Sequence, residues 1–375
     1  MANLKIVISG GGTGGHIYPA IAIAKKILEK NKDSKILFVG AKGRMEMEKI
    51  PEEGFSIIGL DVVGIQRSLS LKSIFKNLKF PFLLLKSLNN AKKILEDFKP
   101  DVVVGVGGYA SGPTLRMAHS LNIPTLIQEQ NSYAGLTNKW LSKKANKICV
   151  AYENMSHFFD ESKLILTGNP VRKDIENLNS KVDEAKKYFN VLKSEKVILV
   201  LGGSLGAKSI NEGIIKSISI LNDQPVKLIW QVGKRYFNKI NDQLTQINMI
   251  NIHPLPFIKR MDLAYAVSDI VISRAGALSI SELTLAGIPS ILVPSPNVSE
   301  DHQTKNAMSL VSKSAAILVK DDQTEKLLSV AIELLKNIEK LTQISKNAKN
   351  LGKPNATNDI VSEIFKLNFN GTKKV

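Results

Sequence analysis

Short apolar runs alternate with longer stretches of helical spacing through most of the chain. "KIVIS" (5–9), "KILFVG" (35–40), "DVVVGV" (101–106) and "PTLIQE" (124–129) are dense in Val, Ile and Leu. Such runs fit strands buried on both faces, as in a parallel sheet covered by helices. The segments between them carry apolar residues at helical spacing. The alternation is the β-α-β rhythm of an open parallel sheet.

The rhythm then restarts. "KVILVLGGSLGAKSINEGIIKSI" (196–218) repeats the plan of "LKIVISGGGTGGHIYPAIAIAKKIL" (4–28): a buried strand, a glycine-rich turn with a hydroxyl residue, and a helix. Further strands are expected at "KLIWQV" (227–232), "DIVIS" (269–273), "SILVP" (290–294) and "AILVK" (316–320). The pattern predicts an α/β chain of two Rossmann-like domains joined near "TGNPVRKD" (167–174), with boundaries at 1–167 and 168–352. Ligands of such sheets sit beyond the carboxyl ends of the strands. The tail "NDIVSEIFKLN" (358–368) reads as one last amphipathic helix.

Composition narrows the function classes. With 375 residues, 43% of them hydrophobic, each half can bury a core. The single cysteine, Cys149, allows no intrachain disulfide and suits a reducing cytosol. The N-terminus enters a strand and then a glycine turn, without signal-peptide architecture. The longest apolar run, "FPFLLL" (80–85), falls far short of the roughly 20 residues a membrane span needs. The formal charge of +17 fits anionic partners of several kinds, or a lysine-rich proteome alone. The five histidines are scattered, so a metal site is not expected. No G-K-[ST] P-loop is present, which argues against an ATPase.

The first glycine turn, "SGGGTGGHIYPA" (9–20), spells G-x-G-x-x-G. A dinucleotide site would also need an acidic residue at the end of the second strand. Gly40, Lys42 and Arg44 occupy that region, so the NAD reading fails. What the turn offers is backbone amides and the positive end of a helix, both suited to phosphate. His16 lies at that positive end, which disfavours imidazolium and leaves a neutral ring able to accept a proton. It could equally cap the helix.

Other segments carry chemistry beside a plain structural reading. In "SRAGALSISELTLAGIPSILVP" (273–294), a helix start suited to a diphosphate is followed by Glu282, which could hold both hydroxyls of a ribose. Ser279 and Glu282 also match the S-x-x-E of a capping box. "GVGGYASGP" (105–113) is a second glycine turn, and "EQNSYAGLTNKW" (129–140) places Glu129, Gln130 and Asn131 just past a strand end. Residues 66–99 hold eight basic and two acidic side chains among bulky apolar ones. That composition suits an anionic bilayer surface, or a helix packed on the sheet with its lysines solvated.

Taken in order, "GGTGGHIYPA", "GGYASGP", "EQNSYAGLTNKWL", "GNPVR", "GGSLGA", "PFIKRM", "RAGALSISEL" and "DHQTKNA" resemble one family, the MurG-type N-acetylglucosaminyltransferases of peptidoglycan synthesis. Eight matches in register from residue 11 to 307 are specific where each alone is weak. The resemblance implies a GT-B fold, two Rossmann-like parallel-sheet domains facing across a cleft. A C-terminal helix (353–368) would return to the first domain. It implies inverting transfer of GlcNAc from UDP-GlcNAc to the MurNAc C4 hydroxyl of lipid I, giving lipid II, with no cofactor and no metal. The implied place is the cytoplasmic face of the bacterial plasma membrane, held peripherally. Implied partners are UDP-GlcNAc, lipid I, the anionic membrane surface and other cell-wall synthesis proteins, without nucleic acid.

Carried over by position, Thr13, Gly14, Gly15, Asn131, Arg172, Ser204, Ile258, Ala277, Leu278, Ser279, Glu282 and Gln303 would bind UDP-GlcNAc. Gly11, Gly12, Gly107, Gly108, Tyr109 and Ser111 would receive the acceptor diphosphate. Phe75, Phe80 and Phe82 with Lys72, Lys76 and Lys79 would meet the membrane. His16 is the first candidate for the base and Glu129 the second, or the group that orients His16. The sequence departs from the family pattern at Gln128, Leu205, Lys259, Arg260 and Thr304, which bears on donor contacts. A UDP-GlcNAc 2-epimerase of the same fold and a nucleic-acid-binding protein are the rival readings. The first would not need the basic apolar segment, and the second lacks a reading motif.

Overall fold

The structure, a computed structural model, describes residues 3–62, 80–175, 177–203, 205–222, 224–247 and 251–371. The chain divides into two compact units, Met1–Val171 with Asn355–Val375, and Arg172–Pro354. Among the described residues, the first unit holds β1 (Lys5–Ser9), β2 (Lys35–Ala41), β3 (Ser56–Leu60), β4 (Val102–Gly105), β5 (Thr125–Glu129), β6 (Lys147–Val150) and β7 (Leu164–Leu166). They form one sheet in the order β3-β2-β1-β4-β5-β6-β7, and every pairing is parallel.

The period of two along a strand sends neighbours to opposite faces, and both faces are covered here. Ile6 and Ile8 of β1 join Val102 and Val104 of β4 in one core cluster. Val7 and Val103, between them in sequence, belong to the cluster on the other face. This is why the strands read as unbroken apolar runs. The C-terminal helix, Ala356–Gly371, adds Ile360, Val361, Ile364 and Leu367 to the first of these clusters. Their spacing of one, three and three residues makes a single helical stripe.

The second unit holds β8 (Lys196–Leu201), β9 (Val226–Gln231), β10 (Ile252–Leu255), β11 (Ile270–Arg274), β12 (Ser290–Val293) and β13 (Ile317–Leu318). Their order is β10-β9-β8-β11-β12-β13, again parallel throughout. Trp230 is fully buried at its centre and donates its indole N–H to Asn211. In each sheet the strand order reverses beside the first strand of the unit, between β1 and β4 and between β8 and β11.

Four strands were not foreseen, and one of them, β6, lies inside the first sheet between β5 and β7. β3, β7 and β10 sit at sheet edges. β10 carries His253 and Pro254, and proline is tolerated on an edge because its missing donor leaves no gap in the ladder. The basic apolar segment is partly described. Residues 63–79, with Lys72, Phe75, Lys76 and Lys79, lie outside the described residues. The helix Phe80–Phe98 follows. Its later turns bury Ala91 and Leu95, whereas Phe82 and Leu85 near its start are 72% and 62% exposed. The later turns fit a helix packed on the sheet, and the start of the helix leaves apolar side chains exposed. No helix among the described residues is long and apolar enough to cross a membrane.

Candidate functional site

The glycine turn after β1 is closed by its own backbone. The Gly11 amide donates to Gly107 O at 3.2 Å, which locks this turn onto the turn after β4. A Cβ on Gly108 would overlap the Gly11 carbonyl, and Gly108 has φ +88°, so only glycine fits there. The Gly12 amide donates to Glu46 Oε2 at 2.8 Å, and the Ala41 amide donates to Glu46 Oε1 at 3.0 Å. Glu46 is fully buried and its carboxylate props the turn from behind. The amides of Gly11 and Gly12 are therefore used inside the protein. In the first turn of the helix Gly14–Lys30 the amides of His16 and Ile17 donate to Thr13 O, which leaves those of Gly14 and Gly15 at the open end of the helix. Thr13 is its N-cap residue, without a side-chain capping bond.

His16 Nδ1 lies 2.9 Å from Gly11 O. A carbonyl only accepts, so Nδ1 carries the proton and Nε2 keeps a lone pair. Nε2 lies beside Gly107, close to where a side chain on that glycine would stand. The ring is thus held by the turn in the tautomer a general base needs. Ser111 donates to Gly108 O at 2.9 Å and shapes the same turn, while Tyr109 beside it is 56% exposed.

Glu129 is 1% exposed and holds its own loop together. Oε1 accepts from the Asn131 amide (3.1 Å) and Nδ2 (3.4 Å), and Oε2 from the Gly135 amide (3.0 Å) and Asn138 Nδ2 (2.8 Å). Behind it lies a buried amide network. Gln130 donates to Val106 O and to Gln128, Gln128 donates to Asn169, and Asn169 donates to Gln130 O. The "GNP" of the linker is thereby tied to the end of β5.

In the second unit, the helix Ala277–Ala286 begins directly after β11, with Gly276 as its N-cap residue. Ser279 is then the third helical residue, so the capping-box pairing with Glu282 is not formed. Glu282 is 9% exposed and accepts from Arg172 Nε at 3.1 Å and from the Tyr265 hydroxyl at 3.0 Å. Burial pushes its carboxyl above the usual range, and Arg172 and Tyr265 pull against that. Ala277, Leu278 and Ser279 supply the opening turn of this helix. Ile258 donates its amide to Gln231 Oε1 at 2.9 Å, and Gln231 donates in turn to Gly203 O. Gln303 accepts from the Ser295 amide at 2.9 Å through Oε1, so its N–H₂ is the donor end. Ser204 lies outside the described residues.

Two domain models match the chain: "Glycosyltransferase family 28 N-terminal domain" over residues 6–150 and "Glycosyltransferase family 28 C-terminal domain" over residues 197–360. A Flavobacterium psychrophilum protein named "UDP-N-acetylglucosamine--N-acetylmuramyl-(pentapeptide) pyrophosphoryl-undecaprenol N-acetylglucosamine transferase" is 54% identical over 98% of both chains. The crystal structure of Acinetobacter baumannii MurG is 29% identical, with a TM-score of 0.76 over 97% of this chain and 99% of that one. The chain belongs to the MurG-type N-acetylglucosaminyltransferases. The GT-B fold class follows with the family, and so does glycosyltransferase activity. A Neisseria meningitidis UDP-GlcNAc 2-epimerase matches at 19% identity and TM-score 0.66, over 97% of this chain and 100% of that one, a likeness of fold alone.

Among the MurG-type positions foreseen, the first unit brings together Gly11, Gly12, His16, Gly107, Gly108 and Ser111. The second brings together Arg172 and Glu282. Three further residues matter and were not foreseen: Glu46, Gln231 and Tyr265. Glu46 sits outside any glycine turn, one of two glutamates among three basic residues in "AKGRMEMEK", and nothing in that stretch sets it apart. Gln231 closes a buried strand, and Tyr265 lies mid-helix, so neither stands out in a linear pattern. The departures from the MurG-type pattern are absorbed locally. Arg260 pairs with Asp262 and Glu184, Thr304 donates to Asp301, and Leu205 is 75% exposed.

Proposed function

We propose that this MurG-type enzyme transfers GlcNAc from UDP-GlcNAc to the C4 hydroxyl of MurNAc in lipid I, forming lipid II with inversion at the anomeric carbon. The observation that carries the catalytic part is the bond from His16 Nδ1–H to Gly11 O. It leaves Nε2 able to take the proton of the attacking hydroxyl. Glu129 is the weaker candidate, because four donors of its own loop already occupy its carboxylate.

In this reading Glu282 accepts from the ribose hydroxyls. The first-turn amides at Ala277 to Ser279 meet the diphosphate and stabilise departing UDP. Ile258 meets uracil through its backbone carbonyl, since Gln231 already holds its amide, while Gln303, Asn131, Thr13 and Arg172 complete the donor contacts. Phosphate contact at the first unit falls to the amides of Gly14 and Gly15. Gly11, Gly12, Gly107 and Gly108 supply shape.

Lipid I is held by its polyprenyl chain, so the enzyme must reach a bilayer. Phe82 and Leu85 are exposed apolar side chains next to Lys86, which also pairs with Asp61. A few such side chains with basic neighbours give reversible, salt-sensitive binding at the cytoplasmic face. The decisive experiment supplies UDP-GlcNAc and a short-chain lipid I analogue and analyses the products. A disaccharide-linked lipid is expected. Formation of UDP-ManNAc without acceptor would support the epimerase reading instead. Sedimentation with anionic but not neutral vesicles, lost in the Phe82→Ser/Leu85→Ser variant, is the expected membrane result.

A further inference from the structure

A carboxylate offers two oxygens and about four lone-pair directions. In Glu282 the protein fills one direction on each oxygen, with Arg172 Nε on Oε1 and the Tyr265 hydroxyl on Oε2. One direction per oxygen is left, and a vicinal diol presents two donors. The two protein donors differ in kind. The Arg172 side chain is 45% exposed and reaches Glu282 from the surface. Tyr265 is 2% exposed, packed within the helix Met261–Val267, and cannot leave.

We propose that Tyr265 is the positioning residue for ribose recognition. Its buried hydroxyl holds the Glu282 carboxylate so that both oxygens accept from a vicinal diol, and this sets the preference for ribonucleotides over deoxyribonucleotides. The inference rests on the reading of Glu282 as the ribose ligand. A phenylalanine would fill the same space with no polar atom to satisfy, so the hydroxyl is not needed for packing. Burial holds the phenol well above its usual range, so it stays protonated and always donates. Losing it would leave Oε2 buried and underpaired, and free the carboxylate to rotate.

The test measures calorimetric binding of UDP and 2′-deoxy-UDP to the full chain. It uses the wild type, Tyr265→Phe, Glu282→Gln and the double variant, all checked for fold by circular dichroism. Tyr265→Phe is expected to weaken UDP roughly five- to tenfold, less than the direct loss of a hydrogen bond to a charged group, because Glu282 itself remains. It should weaken 2′-deoxy-UDP less, so the ratio of the two affinities shrinks. In the Glu282→Gln background the same change should leave the ratio where Glu282→Gln put it. An unchanged ratio in Tyr265→Phe, or an equal shift in both backgrounds, overturns the role of Tyr265. A wild-type ratio in Glu282→Gln overturns the ribose reading itself. If Tyr265→Phe does not fold, 3,5-difluorotyrosine at position 265 keeps the shape and donates more strongly. Tighter UDP binding is then expected, and unchanged binding overturns the inference.

Discussion

Both units close a glycine turn against a neighbouring turn, but on different sides of the first strand. In the first unit the turn after β1 locks onto the turn after β4, across the point where the strand order reverses. In the second the turn after β8 meets the turn after β9: a Cβ on Gly206 would overlap Val232 O, and Gly206 has φ +79°. Across its own reversal, the second unit uses a side chain. Arg274 at the end of β11 donates to Ser209 Oγ at 2.7 Å and to Val293 O at 3.2 Å, and pairs with Asp321. Ligands of open parallel sheets bind at the reversal. The first unit fills that place with its own backbone and uses it to aim one imidazole. The second keeps a helix start and a buried carboxylate there, which suits a nucleotide. If His16 is the base and Glu282 the ribose ligand, the same sheet carries two kinds of work, set by which turns touch.

If the first unit exists to aim His16, removing the ring should cost the most. His16→Ala is expected to lower kcat by about 10²–10⁴-fold, the range for a lost general base. The dissociation constant for UDP should stay at the wild-type value. A loss confined to UDP binding would erase the division of labour between the units.

The reciprocal change is Glu282→Ala. Donor affinity should fall by about 1.5–3 kcal/mol, typical of hydrogen bonds to a charged group. The change also leaves the buried Tyr265 hydroxyl and Arg172 without their acceptor, so some stability is lost with it, and affinity is read on protein shown to be folded. Titration of UDP-GlcNAc into the folded variant measures this, and an undiminished affinity would return Glu282 to a structural role.

The turns themselves can be tested as a pair. Gly108→Ala and Gly206→Ala each drive a methyl into a carbonyl at a positive φ, so each should cost about 1–3 kcal/mol of stability or more. Their functional signatures should differ. Gly108→Ala disturbs the Gly11 carbonyl that holds His16 and should lower turnover, whereas Gly206→Ala should weaken UDP. Kinetics and UDP titration on both variants separate the two, and identical signatures would argue that the turns are only packing.

How much of this was written in the sequence follows from the same contrast. Strands buried on both faces are unbroken apolar runs, so β1, β2, β4, β5 and β8 stand out in the chain. Edge strands such as β7, with three residues, leave almost no pattern. The glycine turns were legible because positive φ and close backbone approach demand glycine. Their pairing was not, since it depends on which strands become neighbours. Likewise Glu282 could be seen as a candidate, but Tyr265 and Arg172 reach it from 17 and 110 residues away. Glu46 was missed for the opposite reason: a carboxylate whose partners are backbone amides leaves no complementary side chain to look for.

The smallest expected effect concerns acid stability, and it again sets the units apart. His119 in the first unit is half-buried beside Thr125, and burial, with Lys144 and Arg116, lowers its pKa from 6.5 to about 4. His253 in the second is lowered too, by burial and Lys227. Above pH 6.5 the ring is neutral in both the folded and the unfolded chain, so it adds no pH dependence. Between 6.5 and about 4 the unfolded chain binds a proton that folded His119 refuses, so stability falls as pH falls. Below that both states are protonated and the loss is complete. His119→Gln keeps a polar partner for Thr125 and removes the titration. The melting temperature of this variant should therefore decline less steeply than that of the wild type from pH 6.5 to 4. His253→Gln should flatten a further part of the decline. Thermal unfolding followed at several pH values reads both slopes. A His119→Gln profile parallel to that of the wild type would mean that the imidazole is protonated in the folded first unit after all.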